Sequence, residues 1–198
     1  MATATDPLID ELDRYRRQFE EAREEFRKLV EGLSDEQFNW RPGEESWSMA
    51  ECIDHLVMVG TIMNRSIDEG IQKAEERGLK SDGPFKYGAL GNWFVRAVSG
   101  SEEGRKRKFK APKTYTPTSE HSISRLDAAF NEMQDAFVVR VQRANGLDLA
   151  RVKITSPITR LFRLSLGKWF ALLAGHQERH LLQARDVLEA IPIPETNP

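Results

Sequence analysis

Apolar residues along this chain fall into stripes with a helical period. In the first, Leu8, Leu12, Tyr15, Phe19, Ala22, Phe26 and Leu29 recur at spacings of four and three, while Glu, Arg and Asp crowd the intervening positions. That is one buried face on a solvent-exposed helix. Asp6 before Pro7 fits an N-cap and first turn, and Gly32 fits the stop. A short second element, "SDEQFNWRP", has Ser34 and Gln37 at capping-box spacing and must end before Pro42. Ser48 and Glu51 repeat that box ahead of a long helix with Cys52, His55, Val59, Ile62 and Met63 on one face. This helix is predicted to reach about Arg77, with Gly78 just beyond. A third long helix covers about Ser122 to Asn145 and buries Ile123, Leu126, Phe130, Met133, Phe137 and Val141. The last follows Pro157 and runs from about Thr159 to Ala190, with a break near Gly167.

Between residues 78 and 119 the period is lost, although "ALGNWFVRAVSG" has room for a helical turn or two. So long a connection is unusual inside a compact domain, but in a four-helix bundle it serves to cross over between two parallel helices. No alternating stretch is strong enough to predict a sheet. The expected fold is all-α: a single domain over residues 1–198, a four-helix bundle with a long crossover (about 78–119) between the second and third long helices.

Histidine placement brings chemistry into this picture. At 100° per residue His180 lies about 40° from His176, with Trp169, Leu172, Leu173 and Val187 in the same arc. The same arithmetic sets His55 among Cys52, Val59 and Ile62. Three of the four histidines therefore point inward, from two helices. An unpaired polar ring in a core is costly, so something should satisfy all three. A divalent metal does so: an i, i+4 pair grips the ion and the facing helix supplies a third nitrogen, leaving a coordination position open. The alternative is three hydrogen-bonded core histidines. His121, among serines at the edge of the crossover, reads as a surface or capping residue.

Other side chains have structural readings beside functional ones. Glu51, one turn before His55, is a candidate general base, but it also completes the Ser48 capping box. Gln183, on the histidine face, could orient a substrate or hold a neighbouring group. Asp54 falls on the opposite flank and is expected to stay solvated. Cys52, three residues from His55, could be a nucleophile or an extra ligand, with a small buried hydrophobe as the default reading. Trp40 and Trp47 flank the turn that leads into the histidine helix, and could wall a pocket there, with packing of the turn as the default reading.

Bulk composition removes some function classes. Lys and Arg total 29 against 31 Asp and Glu, a net charge of −2, so no global basic field draws nucleic acid or a membrane surface. Arg105, Lys106, Arg107, Lys108 and Lys110 form a basic run that could meet an anionic cofactor, with a solvated loop as the default reading. The apolar stretch from Leu161 to Leu173 is broken by Arg163 and Lys168 and is too short to span a bilayer. With no secretory signal pattern and one cysteine, a cytoplasmic setting is expected.

Three motifs carry a resemblance: W-x-P-x-x-x-x-W-S from Trp40 to Ser48, D-H-L at Asp54 to Leu56, and H-x-x-R-H-x-x-Q from His176 to Gln183. Together with "APKTYTP" and "SPITRLF", they make the chain similar, over nearly its whole length, to the DinB-like (DinB/YfiT) superfamily of mostly bacterial four-helix-bundle metalloproteins. The resemblance implies an up-down-down-up bundle and a metal triad of His55, His176 and His180. It also implies zinc or nickel, a small-molecule substrate, and often a homodimer. Thiol-dependent transferase or isomerase chemistry with bacillithiol, mycothiol or glutathione is the leading expectation, through a thiolate favoured by the metal. The alternatives are a metal-dependent hydrolase, with water activated instead, and a non-catalytic metal-binding or regulatory bundle.

Overall fold

The computed structural model describes residues 7–106, 115–157 and 162–192. Four long helices make the frame: α1 (Asp10–Val30), α3 (Met49–Glu76), α6 (Ile123–Arg143) and α7 (Leu166–Ala190). Short helices α2 (Asp35–Asn39), α4 (Ala89–Val98) and α5 (Glu102–Arg105) lie in the connections. Both expected capping boxes form. Ser34 Oγ accepts from Gln37 N while Ser34 N donates to Gln37 Oε1, and Ser48 and Glu51 make the same exchange. Gly78, at φ 62°, ends α3 in a left-handed conformation that a side chain would disfavour.

Contacts along the helices give their directions. Phe19 stacks on Phe137 and Phe26 meets Phe130 edge-on, so α1 and α6 run antiparallel. Asn64 bonds the Met133 carbonyl, and Arg143, ten residues after Met133, reaches Asp68 and Glu75, so α3 and α6 run parallel. Tyr15 packs on Phe170 and Arg185 pairs with Glu25, which makes α7 parallel to α1. The order is therefore up-down-down-up, with the crossover joining the parallel pair α3 and α6. The core is rich in fully buried phenylalanines: Phe19, Phe26, Phe38, Phe130, Phe137 and Phe170.

Three expectations about the elements need correction. Helix α1 starts at Asp10 rather than at Pro7, because the Asn145 side chain takes the local backbone groups: its Oδ1 accepts from Ile9 N and its Nδ2 donates to the Pro7 carbonyl. Asp6 lies outside the described residues. A two-stranded antiparallel sheet is present, β1 (Lys153–Thr155) and β2 (Arg163–Ser165), with Ile154 opposite Leu164. Three residues per strand are too few for an alternation to stand out. Consequently α7 begins at Leu166 instead of near Thr159, which itself lies outside the described residues. The hairpin is held to the bundle by Trp169, whose Nε1 donates to the Ile154 carbonyl at 3.0 Å.

The described parts of the crossover pack against the bundle. Helix α4 lies on α7, and Arg179 of α7 donates to the Gly104 carbonyl at 2.7 Å. On its return the chain runs beside α3: Thr118 N donates to Asp54 at 2.9 Å, and His121 N donates to Asn39 Oδ1 at 3.0 Å. Asp54 is thus engaged and largely buried, not solvated as expected. His121 caps this return through its bonds to Thr118. Of the basic run, Arg107, Lys108 and Lys110 lie outside the described residues. No helix among the described residues is long and apolar enough to cross a membrane.

Candidate metal centre

Antiparallel packing of α3 against α7 brings His55 opposite His176 and His180. Ring centroids are 5.2 Å apart for His55 and His176, 4.9 Å for His55 and His180, and 4.6 Å for the pair on α7. One nitrogen from each ring lies within 4.8 Å of the others. Two zinc–nitrogen bonds end to end span about 4 Å, so the widest gap is within about an ångström of what one ion bridges. His55 and His180 are buried and His176 is partly exposed, which leaves the cluster a side towards solvent.

Two rings are oriented from behind. His55 Nδ1 lies 2.9 Å from the Tyr115 carbonyl, and His180 Nδ1 lies 3.1 Å from Gln183 Oε1. Both oxygens only accept, so each Nδ1 carries the proton and each Nε2 keeps its lone pair for a ligand. This is the outer-shell arrangement that fixes metal-binding imidazoles. Gln183 therefore acts on His180, the second of the two roles its sequence position allowed. The Tyr115 carbonyl has no counterpart in side-chain pattern, since a backbone acceptor leaves no signature there.

Electrostatics favour neutral rings. Burial pushes the His180 pKa down to about 3, with His55 and Arg179 adding to the effect. Burial likewise lowers His55, and it holds His176 well below the ordinary histidine range, reinforced by His180 and His55. A metal needs unprotonated nitrogen, so the donor set matches a divalent cation near neutral pH. The same shifts predict acid sensitivity of the metal-free protein. Depressed folded-state pKa values make the unfolded chain bind more protons, so stability is full above about pH 6.5 and falls as pH drops below it. Each ring contributes a slope of up to about 1.4 kcal/mol per pH unit. Urea unfolding of the metal-free protein between pH 7.5 and 5.5 is expected to show this loss; an unchanged midpoint would contradict the packed neutral cluster.

Around the cluster, Trp47 stacks on His180 at 5.6 Å with an interplanar angle of 23° and leans on His55 at 5.1 Å. It walls the site, the first of the two roles its sequence position allowed. Trp40 packs against the core. Glu51 is buried with its carboxylate fully engaged: Oε2 accepts from Ser48 N and Arg41 Nε, and Oε1 accepts from Arg41 Nη2. Cys52 is inaccessible and burial pushes its thiol pKa up, so it is a core hydrophobe rather than a thiolate. Gln134 and Gln177 exchange amide hydrogen bonds of 2.8 and 3.2 Å between α6 and α7, a buried pair that apolar periodicity passes over.

The geometry has relatives. Uncharacterised protein YuaE of Bacillus subtilis (strain 168) is 25% identical over 174 residues, covering 87% of this chain and 96% of YuaE. Among solved structures, this chain is similar to YfiT from Bacillus subtilis, "a probable metal-dependent hydrolase with an unusual four-helix bundle topology". There the TM-score is 0.58 at 13% identity, over 94% of this chain and 91% of YfiT, which speaks for the fold. Residues 18–184, a span that includes all three clustered histidines, match the model of the DinB superfamily, and the chain belongs to that family.

Proposed function

We propose that this protein is a metal-dependent transferase that activates a low-molecular-weight thiol, with His55, His176 and His180 as the ligands of one divalent ion. The observation that carries this reading is the inward convergence of three neutral imidazoles beside a carboxylate that is already occupied. A bound zinc or nickel ion would supply Lewis acidity, favouring the thiolate of a thiol that reaches it. Hydrolysis usually draws on a nearby general base. Glu51 is clamped by Arg41 and Ser48, and Asp54 is bonded to Thr118. A thiol, with its much lower intrinsic pKa, depends less on such a base.

In this reading Gln183 and the Tyr115 carbonyl hold two rings in register, and Trp47 supplies a flat apolar wall for the incoming molecule. Glu51 serves the site by locking the start of α3, which carries His55. Bacillithiol, mycothiol and glutathione are the thiols the family resemblance brings forward. The same resemblance supports a homodimer, and we place the protein in the cytoplasm, where such thiols stay reduced. A hydrolase is the second reading, favoured by the description of YfiT as a probable metal-dependent hydrolase.

The protein loaded with zinc or nickel should be offered each thiol with 1-chloro-2,4-dinitrobenzene, and separately an activated ester without thiol. The expected result is metal-dependent thioether formation: sulfur bonds to the ring carbon, chloride leaves with its electron pair, and the thiol proton passes to solvent. Ester cleavage without thiol would replace the first reading with the second. Metal that raises the melting temperature with neither reaction would leave a binding bundle, since any ligand preferring the native state stabilises it.

A further inference from the structure

At the other end of α3 the β1–β2 hairpin docks on the helix and leaves a cleft of about 320 Å³. Its first α3 residue, Ser66, lies eleven positions beyond His55, about 16 Å along the axis at 1.5 Å per residue. Gly70 permits the docking: a Cβ there would come within 2.6 Å of Ile154 Cγ1, so the hairpin rests on bare backbone. Lys73 and Arg77 line the helix side, and Arg151, Lys153 and Arg163 line the hairpin side.

Five cations stand in this lining against one carboxylate, Glu69, in a chain with 29 basic and 31 acidic residues. Glu69 is itself shared with Arg65 at 3.8 Å, and the neighbouring Glu75 is taken by Arg143. All five cations are exposed, and among the described residues none has a carboxylate partner. Like charges gathered in a concave site repel one another and focus a positive potential, and an anion relieves that repulsion. Guanidinium forks pair bidentately with phosphate oxygens, while lysines act as point charges. The volume is at the lower end of small-ligand sites.

We propose that this cleft binds a small ligand carrying two or more phosphate groups, at a site separate from the histidine cluster. Three arginines from two walls can fork different phosphates, and Lys73 and Lys153 add charge from each side. The hydroxyls of Ser66 and Thr155 in the lining are further donors.

The test uses inorganic pyrophosphate as probe, titrated into the isotope-labelled full-length protein at physiological ionic strength. The amide resonances of Gly70, Val152 and Thr155 are expected to shift saturably. Arg151→Gln with Arg163→Gln should weaken binding by roughly tenfold or more, since each removes a forked, charge-assisted contact. Arg14→Gln with Arg17→Gln, an equal charge change on α1, should leave it unchanged. Four results would overturn the proposal: no saturable shift, shifts centred on His55, His176 and His180, equal weakening by the α1 pair, or citrate binding as tightly as pyrophosphate. A twelve-nucleotide DNA binding more tightly, with shifts spreading beyond the cleft, would also overturn it in favour of a nucleic-acid surface. The shift map of the unsubstituted protein decides the matter even if the double variant fails to fold.

Discussion

His180→Ala is expected to reduce bound metal from about one equivalent per chain to below about a tenth after identical loading, because two nitrogens no longer define a site. Tag-free protein and elemental mass spectrometry make the measurement. The reason is geometric. His180 is central to the cluster: its ring is 4.6 Å from His176 and 4.9 Å from His55, and it is stacked by Trp47. Removing it leaves His55 and His176 alone, on different helices. Gln183→Leu should have a smaller effect of the same kind, about 10- to 100-fold in metal affinity, because it frees the ring without deleting it. The two variants thus separate a ligand from the group that aims it. Full metal retention in His180→Ala would show that the ion sits elsewhere.

Much of this site was legible in the residues, for an identifiable reason. A 3.6-residue period assigns a face to every position on a long helix, and that alone turns His55, His176 and His180 inward. The family motifs then named the same three. Capping boxes are equally local, and both formed. What stayed hidden depends on contacts between distant segments. The clamp of Arg41 on Glu51 and the bond from Asp54 to Thr118 require knowing how the turn and the crossover return to α3. The hairpin escaped because each strand has only three residues and is stabilised by Trp169 and the bare surface of Gly70, not by its own alternation. The basic cleft draws Lys73 and Arg77 from one part of the chain and Arg151, Lys153 and Arg163 from another, residues unremarkable when read separately. The basic run near residue 105 is legible in the sequence because its charges are consecutive, whereas converging charges leave no such run.

The frame that aligns the histidines rests on aromatic packing, and Phe137 is one of its joints. This ring is fully buried, stacks on Phe19 at 4.7 Å and nearly parallel, and lies against the open flank of Gly60 on α3. It therefore joins α1, α6 and α3 at one level of the bundle. Phe137→Ala deletes the ring and leaves a cavity that three helices cannot all close, at a cost of about 3–5 kcal/mol. Against a typical total of about 5–15 kcal/mol, that is a large share of the stability. Val139, on the same helix but 49% exposed, is the control, and its replacement by Ala should change stability by less than about 0.5 kcal/mol. Urea titrations of the metal-free proteins give both values directly. Adding metal should raise the stability of Phe137→Ala and of the parent alike, because an ion shared by α3 and α7 binds only the native state. Comparable losses at both positions would mean that α6 does not bury the face described, and the convergence of α3 and α7 on one ion would lose its support.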